Sequence, residues 1–107
     1  MVKFKYKPLP SCVTIRESGI EGLGLFATEI IHKNENLGLT HVAVNDKTLV
    51  RTPLGGFINH SDFPNCTLVS SCNDAVKELF TLRKINKDEE LVLYYTLEQD
   101  EWSIWNL

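Results

Sequence analysis

Three consecutive polar residues, Asn59, His60 and Ser61, are the side chains best placed to do chemistry in this 107-residue chain. They follow the apolar pair Phe57-Ile58 and precede Pro64. An amide, an imidazole and a hydroxyl are costly to bury unless each finds a hydrogen-bond partner. Local Asx and Ser turns provide such partners, and so does a bound ligand. The segment therefore indicates either a structural turn or a binding site, and its residues alone leave both open.

A glycine-rich segment lies upstream, with Gly22 and Gly24 inside the stretch from Ser18 to Ala27. Glycine permits positive φ and lets a ligand approach main-chain amides and carbonyls closely. Hairpin turns need glycine for structural reasons alone. The pair is therefore compatible with a plain turn and with a ligand-binding loop.

A third segment runs from Asp88 to Tyr95, where three acidic residues precede a short apolar run that ends in two tyrosines. Branched and aromatic residues favour a strand here. Successive strand residues face opposite sides, so Tyr94 should point away from a site that Tyr95 enters. A strand tyrosine is more often a packing residue than a catalytic one.

The three segments, in this order, resemble the motifs of the SET domain family of protein lysine methyltransferases, over about residues 15 to 95. The resemblance implies a mostly β fold, the β-clip, of several small sheets. It also implies that the C-terminal segment threads beneath the loop containing Asn59 in a pseudoknot-like way. It further implies S-adenosyl-L-methionine as the cofactor and a lysine-containing protein or peptide as the substrate.

The resemblance also assigns roles to residues. Tyr95 matches the catalytic tyrosine, which would orient the substrate amine and the transferring methyl group. Trp102 could stack on the adenine, or pack with Trp105 over a core edge or a dimer interface. Backbone groups of the glycine loop would hold the methionyl part, Asn59 would contact its amino end and His60 would lie near the adenine. The cofactor positions are Glu21, Gly22, Leu23, Gly24, Asn59, His60 and Trp102, and no residue is assigned to a metal.

The chain departs from the family pattern in four places. The segment before Asn59 is short, and Asn45 to Ile58 contains no tyrosine to line a lysine channel. Asp62 stands where many members have a cysteine that joins a zinc-binding extension, and Asp88 replaces a common glycine. Three functions are thus considered: a protein-lysine N-methyltransferase, a catalytically weak or inactive SET-fold binding module that retains cofactor or peptide binding, and a purely structural β domain.

Short alternating segments and turn residues predict the elements that carry these motifs. Pro53 and Gly55-Gly56 oppose a long helix, so Thr48 to Ile58 is predicted as loop with at most one helical turn. A turn is predicted at Asn73-Asp74. The predicted strands are Cys12 to Arg16, Leu23 to Thr28, Asn36 to Val44, Cys66 to Ser70, Val76 to Leu82 and Leu91 to Tyr95. We expect one domain over residues 1–107, with 96–107 as a short flank.

Composition bounds the remaining possibilities. The net charge of −3 makes nucleic acid an unexpected partner, and no apolar run is long enough to cross a bilayer. Three cysteines without a CxxC pair indicate reduced thiols and an intracellular protein.

His32 and His41 match no motif, and the three histidines lack metal-ligand spacing. A chain this small has little stability to spare and would gain some by forming a homodimer.

Overall fold

The computed structural model describes residues 8–94, which form a curled sheet with one short helix. This confirms the mostly β fold class. The strands are β1 (Val13–Glu17), β2 (Leu23–Ala27), β3 (Asn36–Asn45), β4 (Thr48–Arg51), β5 (Asn59–His60), β6 (Cys66–Ser71), β7 (Val76–Thr81) and β8 (Glu90–Leu93), and the helix is α1 (Pro53–Gly56).

The six predicted strands are present, and their ends agree with the prediction to within two residues. The β6–β7 turn lies where predicted, and Cys72, Asn73 and Asp74 all adopt positive φ there. Asn and Asp tolerate this left-handed region better than most residues. The strands β4 and β5 were not predicted, because four and two residues are too few to show an alternating pattern.

The helix α1 is the single helical turn predicted for this region. Thr52 caps it by accepting a hydrogen bond from Gly55 N at 3.4 Å, and Pro53 occupies the first turn, where its missing N–H costs nothing. The N–H of Phe57 then closes the turn on Pro53 O at 3.1 Å. The turn delivers the chain directly into β5, which carries Asn59.

The strand order is β1-β2-β8-β6-β7-β3-β4, with β5 paired to β8. The β1–β2 hairpin and the four strands β6, β7, β3 and β4 form two small sheets, which β8 connects. It runs antiparallel to β2 through the pair Leu25 and Leu91, and parallel to β5 through Asn59 and Val92. Its link to β6 is the parallel pair Cys66 and Leu93. The strand β8, which carries the third motif, thus lies beside β2 and β5, which carry parts of the other two motifs. The predicted threading of the C-terminal segment beyond Tyr94 lies outside the described residues.

One core fills the inside of the curl. Among its fully buried residues are Leu25, Leu54, Leu79, Ile85 and Leu91. Burial on this scale is the main favourable term in folding. In the part of the chain that the structure covers, no helix is both long and apolar enough to span a membrane.

The three cysteines are free in the structure. Cys66 is buried in β6, and burial raises the pKa of its thiol to about 12. A thiol held protonated in this way is a packing group rather than a nucleophile.

Candidate functional site

The side chain of Asn59 contacts the glycine-rich loop between β1 and β2. Its Nδ2 donates to the carbonyl oxygens of Glu21 at 3.1 Å and of Leu23 at 3.2 Å. The structure therefore brings together two segments that lie more than thirty residues apart. Of the predicted cofactor positions, Glu21, Leu23 and Asn59 meet directly.

Glu90, the first residue of β8, completes this cluster. Its Oε2 accepts from Asn59 Nδ2 at 2.9 Å, and the hydroxyl of Ser18 lies 2.8 Å from Oε1 and 2.9 Å from Oε2. Ser18 lies in the glycine-rich segment and Glu90 in the segment from Asp88 to Tyr95, and the sequence assigned neither of them a role. Their contact spans 72 positions, so no local pattern could reveal it.

The two loop glycines are needed for different reasons. Gly22 has φ of +48°, in the left-handed region that glycine enters without strain. Gly24 is buried, and a Cβ there would overlap Glu90 Oε2 and lie 3.0 Å from Asn59 Nδ2. The group that lies closest to Gly24 in this structure is therefore the Glu90 carboxylate.

His60 lies at the end of β5 and packs on Tyr94. Their ring centroids are 5.0 Å apart with the planes tilted by 50°, and His60 Nε2 is 3.3 Å from Asp62 Oδ1. Tyr94 is about half exposed, and Phe63 in the following turn is 87% exposed. The His60 and Tyr94 rings form an exposed pair at the ends of β5 and β8. The prediction that Tyr94 faces away from a site that Tyr95 enters depends on Tyr95, which lies outside the described residues.

Asn65, in the same motif, serves the fold. It is 1% exposed, and its Nδ2 donates to Glu90 O while its Oδ1 accepts from Val92 N, both at 2.8 Å. Its main-chain N–H also donates to Val92 O at 3.2 Å. The residue joins β8 to the segment after Ser61 and satisfies backbone groups that β-pairing leaves open. Asn65 thus explains part of the motif structurally.

The three consecutive acidic residues before Leu91 have different partners. Asp88 forms an ion pair with Arg16 at 2.8 Å, and Glu89 pairs with Arg83 at 2.5 Å. The hydrogen bond from Arg83 lowers the pKa of the Glu89 carboxyl. The hydrogen-bond partners of Glu90 are instead the neutral Ser18 and Asn59. Within residues 8–94, Glu90 is the member of the three that forms no ion pair.

Two predicted site residues, Tyr95 and Trp102, lie outside the described residues. Both assignments stay predictions. Among residues 8–94 no group of three or more His, Cys, Asp or Glu side chains is arranged to hold a metal ion.

A groove of about 330 Å³ lies apart from this cluster and contains none of the predicted site residues. Cys12 lies in its wall, where burial and then the nearby Glu29 and Glu35 raise the pKa of the thiol. The lining residues are Pro10, Cys12, Glu29, Ile30, Ile31, His32, Glu35, Asn36 and Leu37. The chemistry of the Asn59 cluster, not the size of a cavity, identifies the candidate site.

Comparison with known families gives a match to the SET domain over residues 39–96, more than half of the chain. The match includes Asn59, His60, Glu90 and Tyr95, and it begins after the glycine loop. No curated protein sequence matches the chain.

Two solved structures share the fold. A Plasmodium falciparum protein assigned as a histone methyltransferase is similar with a TM-score of 0.67 and 24% identity, over 82% of this chain and 96% of the other. The methyltransferase domain of human PR domain-containing protein 2 is similar with a TM-score of 0.65 and 17% identity, over 82% of this chain and 79% of the other. At these identities the likeness establishes the methyltransferase-type fold.

Proposed function

This chain belongs to the SET domain family, and on that premise we propose that it is an S-adenosylmethionine-dependent protein-lysine N-methyltransferase. The observation that carries the proposal is the convergence of Asn59 with the carbonyls of Glu21 and Leu23. Family membership alone supports a methyltransferase of some kind. The convergence supports a site for this cofactor in particular.

The donor and acceptor chemistry of the cluster fits the amino end of S-adenosylmethionine. An α-ammonium group needs hydrogen-bond acceptors, and two main-chain carbonyls, the Asn59 amide and the Glu90 carboxylate provide them. The rings of His60 and Tyr94 offer an aromatic surface on which an adenine can stack. The amino end thus has matching groups at Asn59 and at Glu90, the first residue of β8. The aromatic groups for the adenine are His60 in β5 and Tyr94, just after β8.

The cofactor supplies a methyl group on a positively charged sulfur, and the chain has to present a neutral amine in line with it. A lysine amine has a pKa near 10.4, so most of it is protonated at neutral pH. Desolvation in a narrow apolar channel, beside a cation, lowers that pKa and frees the nitrogen lone pair. No dedicated base is then required, and positioning accounts for much of the rate. The hydroxyl of Tyr95 would orient the amine.

The substrate we propose is a lysine-bearing protein or peptide in an intracellular compartment. Support comes from the family match and from the shared fold with two methyltransferase domains. A second function is a SET-fold binding module without efficient transfer. The short chain between β3 and β5 favours this alternative. It consists of β4 and α1 and has no tyrosine to line a lysine channel.

Two experiments separate these functions. Calorimetric titration with S-adenosylmethionine should show one-site binding, and a chain that does not bind it would be neither an enzyme of this class nor a cofactor-binding module. Transfer of a radiolabelled methyl group onto a lysine-rich protein mixture then distinguishes the first two. Label in protein that survives acid hydrolysis as methyl-lysine supports the enzyme, and binding without label supports the module.

A further inference from the structure

A row of polar and basic side chains crosses the sheet formed by β4, β3, β7 and β6. His41 of β3 pairs directly with Arg51 of β4 on one side and with Lys77 of β7 on the other. Lys77 in turn pairs with Ser70 of β6, and its Nζ donates to Ser70 Oγ at 3.2 Å. Directly paired residues of antiparallel strands place their side chains on the same face of the sheet. A guanidinium, an imidazole, an ammonium and a hydroxyl group therefore share one face.

The two cations of this row are not balanced by a carboxylate. Within the part of the chain that the structure describes, neither Arg51 nor Lys77 forms an ion pair. The charges that act on the buried His41 are those of these two cations. Glu78, the next residue of β7, alternates to the other face of the sheet. The helix α1, which packs on β3, has no ionisable side chain. Like charges on one face repel each other, so an anion between them is favoured.

The guanidinium of Arg51 has an unused hydrogen-bond donor. Its Nε is buried, and among the described residues it has no hydrogen-bond partner. Such a donor is costly, because it has lost its water without gaining an acceptor. A guanidinium binds oxyanions through two parallel N–H groups, in bidentate geometry. The side chain as a whole is only partly buried, so a rotation can turn Nε and a terminal nitrogen together toward a ligand. Arg51 thus gains an acceptor when an oxyanion binds.

We propose that Arg51, Lys77 and Ser70 bind a phosphate group over His41. This site shares no residue with the Asn59 cluster and does not depend on the proposed function. Arg51 and Lys77 flank β3 at about twice the strand spacing, about 10 Å, and both side chains are long enough to reach a ligand between them. A phosphate group offers three or more acceptor oxygens, which suit a guanidinium, an ammonium and a hydroxyl better than the two oxygens of a carboxylate do.

The first test follows the histidine ring signals by NMR as the pH is varied, in sodium phosphate and in sodium chloride of equal ionic strength. A phosphate over His41 offsets the two cations that hold its pKa down, so the pKa of His41 should rise from about 4 toward its ordinary value. The ring signals of His32 and His60 should respond alike to the two salts. No change at His41, or an equal change at all three histidines, overturns the proposal.

The second test is calorimetric titration with inorganic phosphate and with glycerol phosphate, which carries the same group as an ester. Saturable binding of both shows that the phosphate group itself is recognised, and tighter binding of glycerol phosphate identifies an ester as the ligand. Arg51→Gln and Lys77→Gln should each weaken binding about tenfold or more, as loss of a charge-assisted hydrogen bond implies. Lys47→Gln is the matched control, because it removes an exposed charge from the β3–β4 turn, and it should change the affinity less than about twofold.

The NMR measurement needs no variant, so it decides the proposal even if a substitution unfolds the protein. In the calorimetric test, absence of saturable binding of either phosphate by the unaltered protein overturns the site. An equal loss of affinity in Lys47→Gln and Arg51→Gln also overturns it, because the effect is then one of total charge.

Discussion

The imidazole of His41 lies against the hydroxyl of Thr40, with Nδ1 2.9 Å from Oγ1, in the middle of strand β3. Thr40 donates its own hydroxyl hydrogen to Lys77 O at 3.1 Å, so Nδ1 of His41 is the donor in this pair. Burial and then the charges of Arg51 and Lys77 lower the pKa of His41 to about 4. The sequence assigned His41 no role, and the structure makes it a neutral group between two cations.

This arrangement makes stability depend on pH. The folded pKa of about 4 lies below the ordinary value of 6.5, so the unfolded chain binds a proton between these values that the folded chain does not. The contribution of His41 to the free energy of unfolding is therefore fully present above pH 6.5. It falls as the pH drops toward 4, by about 1 to 2 kcal/mol between pH 7 and pH 5. Urea denaturation at pH 7 and pH 5 measures the change. His41→Gln should remove most of it, and His32→Gln, at an exposed position, should keep it. If the free energy of unfolding of His41→Gln fell between pH 7 and pH 5 by as much as that of the unaltered protein, the assignment would be contradicted.

The two glycines of α1 should respond oppositely to a methyl group. A Cβ at Gly55 would overlap Thr40 O, which is held in place by the N–H of Thr52 at 2.9 Å. Gly55→Ala should therefore destabilise the fold by about 1 to 3 kcal/mol, as overpacking does. A Cβ at Gly56 meets nothing within 4 Å, so Gly56→Ala should stay within about 0.5 kcal/mol of the original. Denaturant midpoints of the two variants, measured side by side, check this, and equal midpoints would refute it.

The buried amide of Asn65 should be costly to remove. Asn65→Ala leaves the N–H of Val92 and the C=O of Glu90 without their partner, and both belong to β8. We expect a loss of about 2 to 4 kcal/mol in the free energy of unfolding, since each unsatisfied buried group costs about 1 to 3 kcal/mol. The matched change Asn36→Ala removes an exposed amide that donates to Glu78 and should cost under about 1 kcal/mol. A similar loss in both variants would show that Asn65 has no special part in holding β8.

Tyr95→Phe should abolish most methyl transfer and leave cofactor affinity nearly unchanged. Removal of one positioned hydroxyl from a reaction centre costs on the order of a hundredfold or more in rate. Tyr94→Phe is the control, because the ring of Tyr94 packs on His60 and keeps that contact without the hydroxyl. Single-turnover transfer measured beside calorimetric affinity separates the two effects. Full activity in Tyr95→Phe would remove the catalytic assignment.

Local patterns predicted the strands and turns because alternation and turn residues act over a few positions. Asn73-Asp74 and Pro53 are examples, and both the turn and the single helical turn lie where expected. The strands β4 and β5 were not predicted because four and two residues carry too little pattern.

Part of the site was predicted from the family resemblance rather than from local patterns. Resemblance linked Asn59 to the glycine loop, and the contacts to Glu21 and Leu23 agree with that link. Nothing in the sequence linked Ser18 to Glu90, since a hydrogen bond over 72 positions depends on how β8 docks. The sequence also could not show that Asp88 and Glu89 are neutralised by arginines while Glu90 is not.

The position of β8 has a consequence for how the molecule folds. Its partners lie in β2, β5 and β6, so the pairings of β8 close long stretches of chain. Contacts between distant positions slow folding, because the entropy of loop closure is lost before the contacts form. A ribosome-bound chain that has not yet emerged past residue 93 has neither the joined sheets nor Glu90 in place. The ligand site and the completed fold should therefore appear in the same late step.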